Sequence, residues 1–310
     1  MRVVFFGSPE AALPSLEKLI DSGHEVPLVI TQPDRPAGRG KALSPPPVKE
    51  FALGRGIPVR QPARIRMDDT VLDALKTVNP DIHVVVAYGQ IIPARIIYLP
   101  RFHSVNVHFS LLPRYRGAAP VQWAVLNGET KTGVTIFELN EKMDEGGILA
   151  QEETDIRPEE NACELERRLA LLGADLLVRT LSSIGRITLR PQDQAKATYA
   201  PKIEKELGRI DWTTEAEAVD RKVRAFAGRS GAFAFLHGLR IILRSGRSLG
   251  PALASPRAGE ILDVGKEGID VSCGSGSVYR VQRLQRENKK EMDALAFSLG
   301  LKLKPGDSFE

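Results

Sequence analysis

With 310 residues, 42% of them hydrophobic, the chain has room for about two domains of 100–200 residues, each able to fill a core without metal or disulfide. A net charge of +4 is too small to announce a nucleic-acid binder, and two distant cysteines, Cys163 and Cys273, match no ligand or redox spacing, which points to a reducing cytoplasmic compartment. Residues 2–7 enter a strand directly and leave no room for a secretory leader, and no apolar run approaches the roughly 18 residues of a membrane span, so no membrane partner is expected.

Short β-branched or aromatic runs at 3–6, 26–31, 82–87, 105–109 and 134–139 read as buried strands of a parallel sheet. After the first, Ser8-Pro9 offers an N-cap with proline at N1, and Leu13, Leu16, Leu19 and Ile20 form an apolar stripe that stops at Gly23. Further helices are expected at 70–78 and 119–126. The longest runs from about 158 to 184, with Leu165, Leu169, Leu172, Leu176 and Ile184 on one stripe, and Gly173 inside it costs about 1 kcal/mol of helicity. This alternation predicts a βαβ domain over residues 1–189 with helices on both faces. Residues 190–208 are polar and aperiodic and carry two prolines, the composition of an interdomain linker. A short helix near 215–225 then precedes strand-like runs at 232–235, 239–243, 259–264, 269–272 and 278–284. Gly-rich turns such as 274–277 separate them, a pattern for a small barrel or compact sheet over 209–310.

The densest chemistry lies at Asn106-Val107-His108. In a strand these two polar residues share a face, and the following Ser110-Leu111-Leu112-Pro113 ends the ladder at a prolyl residue without an N–H. Open α/β sheets bind ligands at that carboxyl edge. Arg114-Tyr115-Arg116-Gly117 follows and can bring an ordered turn and guanidinium groups beside His108. Asp144, in the Met143-Asp144-Glu145-Gly146-Gly147 turn, can reach the same edge. An amide, an imidazole and a carboxylate suffice to move a formyl group onto an amine. Gly7-Ser8-Pro9 lacks the later glycines of a dinucleotide fingerprint, which argues against a nicotinamide enzyme. His24, His83, His103 and His237 have no partners at metal-ligand spacing, and no metal is expected.

Two basic features suggest polyphosphate. The loop Thr31-Gln32-Pro33-Asp34-Arg35-Pro36-Ala37-Gly38-Arg39-Gly40-Lys41 is long, glycine-rich and carries three cations, which suits a segment that folds around RNA. From Arg221 to Arg257 there are eight basic residues (Arg221, Lys222, Arg224, Arg229, Arg240, Arg244, Arg247, Arg257) and no acidic one.

Taken together these motifs resemble the methionyl-tRNA formyltransferases, a branch of the folate-dependent formyltransferase superfamily. The likeness rests on the 31–41 loop, on Val84-Val85-Val86-Ala87-Tyr88-Gly89, on Asn106-Val107-His108 and on the run from Ser110 to Pro120. It continues through Thr132-Gly133-Val134-Thr135-Ile136, Asp211-Trp212 and Arg224-Ala225-Phe226, and so covers essentially the whole chain. The Asn-x-His, Ser-Leu-Leu-Pro and Asp set is common to the superfamily, whereas the Gln-Pro-Asp-Arg-Pro-Ala-Gly-Arg-Gly loop is more specific to the tRNA enzymes. The resemblance implies a Rossmann-like domain that binds 10-formyltetrahydrofolate, followed by an OB-like β-barrel that helps hold initiator methionyl-tRNA, in a monomer. It carries catalytic roles onto Asn106, His108 and Asp144, and folate contacts onto Tyr88, Gly89, Ser110, Leu111, Leu112 and Pro113. Contacts with tRNA fall to Arg35, Arg39 and Lys41, within an inserted loop over 34–49, and to Arg221, Lys222 and Arg224.

Two positions depart from the family pattern. Phe109 stands where a glycine is usual, so its ring must pack beneath the strand or narrow the folate cleft. Ala227-Gly228-Arg229-Ser230-Gly231 replaces the usual Phe-x-Pro-Trp-Pro. A sugar-nucleotide or glycinamide ribonucleotide formyltransferase shares the catalytic trio without needing the Arg39 loop. A formyltetrahydrofolate hydrolase puts water in place of the amine, and a non-catalytic RNA-binding protein needs no intact trio.

Overall fold

The computed structural model of the chain describes residues 1–37, 42–228, 231–251 and 257–310. Its elements in chain order begin with β1 (Arg2–Gly7), α1 (Leu13–Asp21), β2 (Glu25–Ile30), β3 (Arg35–Ala37), β4 (Ala42–Ser44) and α2 (Pro47–Gly54). There follow β5 (Val59–Arg60), α3 (Asp69–Val78), β6 (Ile82–Val86), α4 (Ala94–Ile97), β7 (Ser104–His108) and α5 (Pro120–Leu126). The series continues with β8 (Lys131–Glu138), β9 (Ile148–Asp155), α6 (Ala162–Leu181) and α7 (Ala216–Ala225). It closes with β10 (Ala232–Leu236), β11 (Leu239–Pro251), β12 (Ile261–Gly265), β13 (Gly268–Ser272), β14 (Ser277–Arg286), β15 (Glu291–Asp293) and α8 (Ala294–Leu301). Contacts divide the chain into two units, one of residues 1–120, 131–155 and 166–201, the other of 121–130, 156–165 and 202–310.

The first unit is an α/β layer around a seven-stranded sheet in the order β5-β2-β1-β6-β7-β8-β9. Its centre is apolar on both faces: Val3, Val4, Phe5 and Phe6 have no exposure, and every residue of β6 is buried. Strand β1 pairs in parallel with β2 on one side and β6 on the other, so the strand order reverses beside β1, and the carboxyl ends at such a reversal are where open α/β sheets bind ligands. The wholly parallel sheet expected from sequence is corrected at one edge, since β8 runs antiparallel to β7, with Val105 opposite Glu138 and His108 opposite Thr135. The polar edge strand β9 carries no β-branched run, which is why its sequence does not announce it. The long helix starts at Ala162, later than the expected 158, because Asn161 caps it, accepting from the Cys163 and Glu164 N–H groups while Glu164 accepts from Asn161 N–H.

In the second unit β10-β11-β14-β13-β12 form an antiparallel sheet, with β15 added to β14. The chain's last residues close it. Phe235 and Glu310 exchange hydrogen bonds at 3.0 and 2.8 Å, and Ile261 N–H donates to Asp307 at 2.8 Å, so residues 307–310 bridge the two edge strands. Closure removes the unpaired edges that such a sheet would otherwise expose. Trp212, Phe226, Phe233, Tyr279 and Phe309 fill the interior.

Candidate functional site

The carboxyl ends of β1, β2 and β6 are tied together by short polar side chains. Ser8 Oγ accepts from the Gln32 N–H at 3.0 Å and from Thr31 Oγ1 at 3.2 Å, and Gln32 Nε2 donates to the Tyr88 carbonyl at 3.0 Å. Ser8 therefore pins three strand ends instead of capping a helix as its sequence suggested; the helical turn that follows starts from Pro9 without a side-chain cap. Tyr88 is 2% exposed and meets Phe6 edge-on, and burial raises its phenol's pKa. Gly89 follows with a left-handed φ of 80°.

Strand β7 delivers Asn106 half-buried and His108 only 6% exposed. The His108 Nε2 lies 2.9 Å from the Tyr115 carbonyl; a carbonyl only accepts, so Nε2 carries the proton. Its Nδ1 then faces the Asp144 carboxylate, 3.8 Å from Oδ2. Asp144 Oδ2 in turn accepts the Gly117 N–H at 2.7 Å. The 114–117 turn thus supplies a backbone acceptor to the imidazole and a backbone donor to the carboxylate. Gly117 is required there: its φ is 119°, and a Cβ would stand 2.7 Å from the Ala200 carbonyl.

The expectation that arginines of this turn bring charge to His108 needs correction. Arg116 has no exposure, and its guanidinium meets Glu145 at 3.3 Å and the Gln192 and Gln194 carbonyl oxygens. Arg114 lies over the Tyr115 ring at 5.3 Å. Ser110 Oγ donates to the Arg114 carbonyl at 2.7 Å, while Thr135 Oγ1 donates to the Ser110 carbonyl and accepts from Leu112 N–H. Gln151 Nε2 reaches the Leu112 carbonyl at 2.8 Å, and the Leu112–Pro113 bond is cis. Leu111 is half-buried beside Gly133. Thr135, Gln151 and Gln192 are side chains that sequence reasoning missed, because nothing in their local pattern marks them. Phe109 is buried, its ring 3.6 Å from where a Cβ on Gly173 would stand, so it packs beneath the strand against α6.

The 34–49 loop begins as the hairpin of β3 and β4. Its base is clamped: Lys49 Nζ lies 2.8 and 2.7 Å from the two Asp34 oxygens, and Gln61 Nε2 donates to Asp34 at 2.7 Å. The Gln61 amide and then Lys49 hold the Asp34 carboxyl below its ordinary pKa. Arg35 donates to Gln32 Oε1 at 3.0 Å, whereas Arg39 and Lys41 lie outside the described residues. So do residues 229–230 of the second departure.

In the second unit three arginines of the single-sign tract find acids outside it, one a helical turn away and two distant in sequence. Arg224 pairs with Asp220 at 2.7 Å, Arg240 with Glu287 at 3.4 Å and Arg247 with Glu267 at 3.3 Å. Lys222 donates to the Arg209 carbonyl at 2.8 Å, and burial lowers its pKa against the opposing pull of Asp211. Arg221 is half-buried, its Nε enclosed. Among the described residues no cluster of His, Cys, Asp or Glu could hold a metal ion, and no helix is long and apolar enough to cross a membrane.

The formyl transferase family profile matches residues 1–181, and that of the formyl transferase C-terminal domain matches residues 202–302. A methionyl-tRNA formyltransferase of Geotalea uraniireducens is 43% identical over 308 residues, covering 99% of this chain and 97% of that protein. One from Synechococcus sp. strain JA-2-3B'a(2-13) is 47% identical over 322 residues, covering 100% of this chain and 98% of that protein. Among solved structures, HypX from Aquifex aeolicus in complex with tetrahydrofolic acid superposes with a TM-score of 0.67 at 19% identity, over 96% of this chain and 47% of that one. An N-formyltransferase from Helicobacter canadensis in complex with folinic acid and dTDP-3-aminofucose gives 0.67 at 18% identity, over 92% and 98%. At those identities the two structures share the fold.

Proposed function

The chain belongs to the methionyl-tRNA formyltransferase family, and from that premise we propose that it transfers the formyl group of 10-formyltetrahydrofolate to the α-amine of initiator methionyl-tRNA. The observation that carries the reading is the approach of Asp144 to His108 at the carboxyl end of β7, with Asn106 two residues earlier on the same strand, in a chain that also keeps the 34–49 loop. Residues 1–189 hold the formyl donor, with Tyr88, Gly89 and the 110–113 corner lining its site, and residues 209–310 help hold the tRNA.

The amine attacks as a free base, because its ammonium form has no lone pair. Negative charge develops on the formyl oxygen, and the leaving nitrogen of the folate needs a proton. Asn106 supplies a neutral N–H to that oxygen, and loss of one such donor typically costs about 3 kcal/mol, a factor of roughly 10²–10³ in rate. His108 Nδ1 takes the proton that the amine sheds as it bonds to the formyl carbon, with the Asp144 carboxylate beside it, and returns it to the leaving folate nitrogen, while Nε2–H stays on the Tyr115 carbonyl and fixes the ring. No covalent formyl-enzyme is needed, and holding the two substrates in line is a major part of the acceleration. The Asp34-Lys49-Gln61 clamp favours the tRNA over a sugar nucleotide as acceptor, since it fixes the base of a loop that a small acceptor has no need for.

The test is to offer purified protein labelled 10-formyltetrahydrofolate with methionyl-tRNA of initiator and elongator type. Label should appear on the initiator at a far higher rate. Equal rates would sink the role of the loop, and label on free methionine or release as formate would overturn the acceptor.

A further inference from the structure

Asp144 sits in a turn with φ of 53°, a region that L-residues occupy only when their surroundings hold them there. One side chain does much of the holding. Gln192, 7% exposed, donates both amide hydrogens to this turn, to the Asp144 carbonyl at 2.7 Å and the Gly146 carbonyl at 2.8 Å. Its oxygen accepts two hydrogen bonds from the buried Arg116, at 3.0 Å from Nε and 2.7 Å from Nη2. All four hydrogen-bonding sites of the amide are used, and its orientation is forced: a guanidinium only donates and the carbonyls only accept.

Arg116 is anchored in turn. Its Nη1 donates to Gln194 Oε1 at 2.9 Å and stands 3.3 Å from Glu145 Oε1, while its backbone pairs with Thr198 and Ala200. The next residue, Gly117, donates to Asp144 Oδ2. The Asp144 turn is therefore gripped from two directions, by the Gln192 amide on its backbone and by Gly117 on its carboxylate, and both run through Arg116.

We propose that Gln192 is a positioning residue for the transfer reaction: it sets the Asp144 carboxylate opposite His108 Nδ1 and acts through Asp144 alone. The proposal rests on the catalytic role given above to Asp144. It places a residue from the polar 190–208 stretch in the machinery of the first unit, to which residues 190–201 belong.

Gln192→Glu reverses the contact: the carboxylate keeps both bonds to Arg116 but sets an oxygen against the Asp144 and Gly146 carbonyls where the amide donated, while Gln192→Met removes the donors without adding charge. Single-turnover formyl transfer at saturating folate and methionyl-tRNA should fall by roughly 10- to 100-fold, with KM for both substrates unchanged, as expected when a catalytic group shifts by about 1 Å. Asp144→Ala should lower the rate at least as far, and the double variant should be no slower than Asp144→Ala alone, because Gln192 has nothing left to position. A merely structural role would multiply the two losses. Thermal unfolding of each variant, with Gln192→Met as a second way of removing the donors, separates a displaced turn from a chain that does not fold. A Gln192→Glu rate within twofold of wild type, or multiplied losses in the double variant, would overturn the positioning role while leaving the proposed reaction intact. A wild-type protein without transfer activity would overturn both.

Discussion

Helix α6 lies against β7 and β8 at Gly173, and Gly173→Ala sets two effects of opposite sign against each other. Alanine in a helix interior is favoured over glycine by about 1 kcal/mol. The new Cβ, however, would stand 2.8 Å from Val107 Cγ1, 3.3 Å from Val134 Cγ1 and 3.6 Å from Phe109 Cε1. A contact under 3 Å must be relieved by movement, and overpacking of this kind costs about 1–3 kcal/mol. Val107 has little room to move: it is branched and stiff at χ1, and its backbone is paired opposite Ile136 in the ladder. Packing should win, for a net loss of up to about 2 kcal/mol and a Tm lower by up to about 8 °C. Val107 also stands between Asn106 and His108, so kcat should fall while the KM values stay near wild type. Thermal and urea unfolding of the single variant, of Val107→Ala and of their combination would measure it, with Gly173→Ala costing less where the Val107 methyls are gone. A rise in Tm for Gly173→Ala in the wild-type background would refute the argument and return Gly173 to an ordinary helix glycine.

Burial depresses the pKa of His83 to about 3 against an ordinary 6.5, so its contribution to stability is complete above about pH 6.5 and is lost as pH falls toward 3; His83→Leu should flatten acid unfolding across that window. Asp34→Asn removes the clamp on Lys49 and Gln61, and should speed limited proteolysis within 35–44 and impair use of charged tRNA without weakening folate binding. Arg39→Ala should impair use of charged tRNA more than Lys49→Ala does, again sparing folate; folate affinity falling in step would contradict a division of labour between loop and pocket. Neutralising Arg221, Lys222 and Arg224 together should weaken initiator and elongator tRNA alike and flatten the salt dependence by at most about 3 in log–log slope, and by less where the Asp220 pair and the Arg209 carbonyl already occupy Arg224 and Lys222. An unchanged slope would make the tract an ordinary solvated surface.

The buried strands were legible because runs such as Val3-Val4-Phe5-Phe6 and Val84-Val85-Val86 can only be interior, and the strand-end placement of Asn106 and His108 follows from those runs. Strand direction was not, since residues 109–130 are long enough to return β8 either parallel or antiparallel to β7, and it runs antiparallel. Closure of the second sheet by residues 307–310 escaped notice for a related reason: four residues at a chain end carry no periodicity. In the site, residue types pointed to the proposed chemistry but not to its support. The Tyr115 carbonyl and the Gly117 N–H are backbone groups, which no side-chain pattern reports. Gln192 lies 48 residues beyond Asp144 in a stretch whose polarity reads as solvent exposure, although its amide is buried and fully bonded. Charge was misleading in both directions, since Arg116 is interior and Arg240 and Arg247 of the basic tract pair with acids distant in sequence.

The central claim is that Asn106 and His108 perform the transfer and do not merely hold the substrates. It is tested most directly by single-turnover formylation of initiator methionyl-tRNA, with enzyme and labelled 10-formyltetrahydrofolate in excess, alongside tRNA affinity measured on the same preparations. Asn106→Ala and His108→Ala should each slow the transfer step by roughly 10²-fold or more, with tRNA affinity little changed. Transfer by the His108 variant at near wild-type speed, or a loss that tracks weakened tRNA binding, would contradict it.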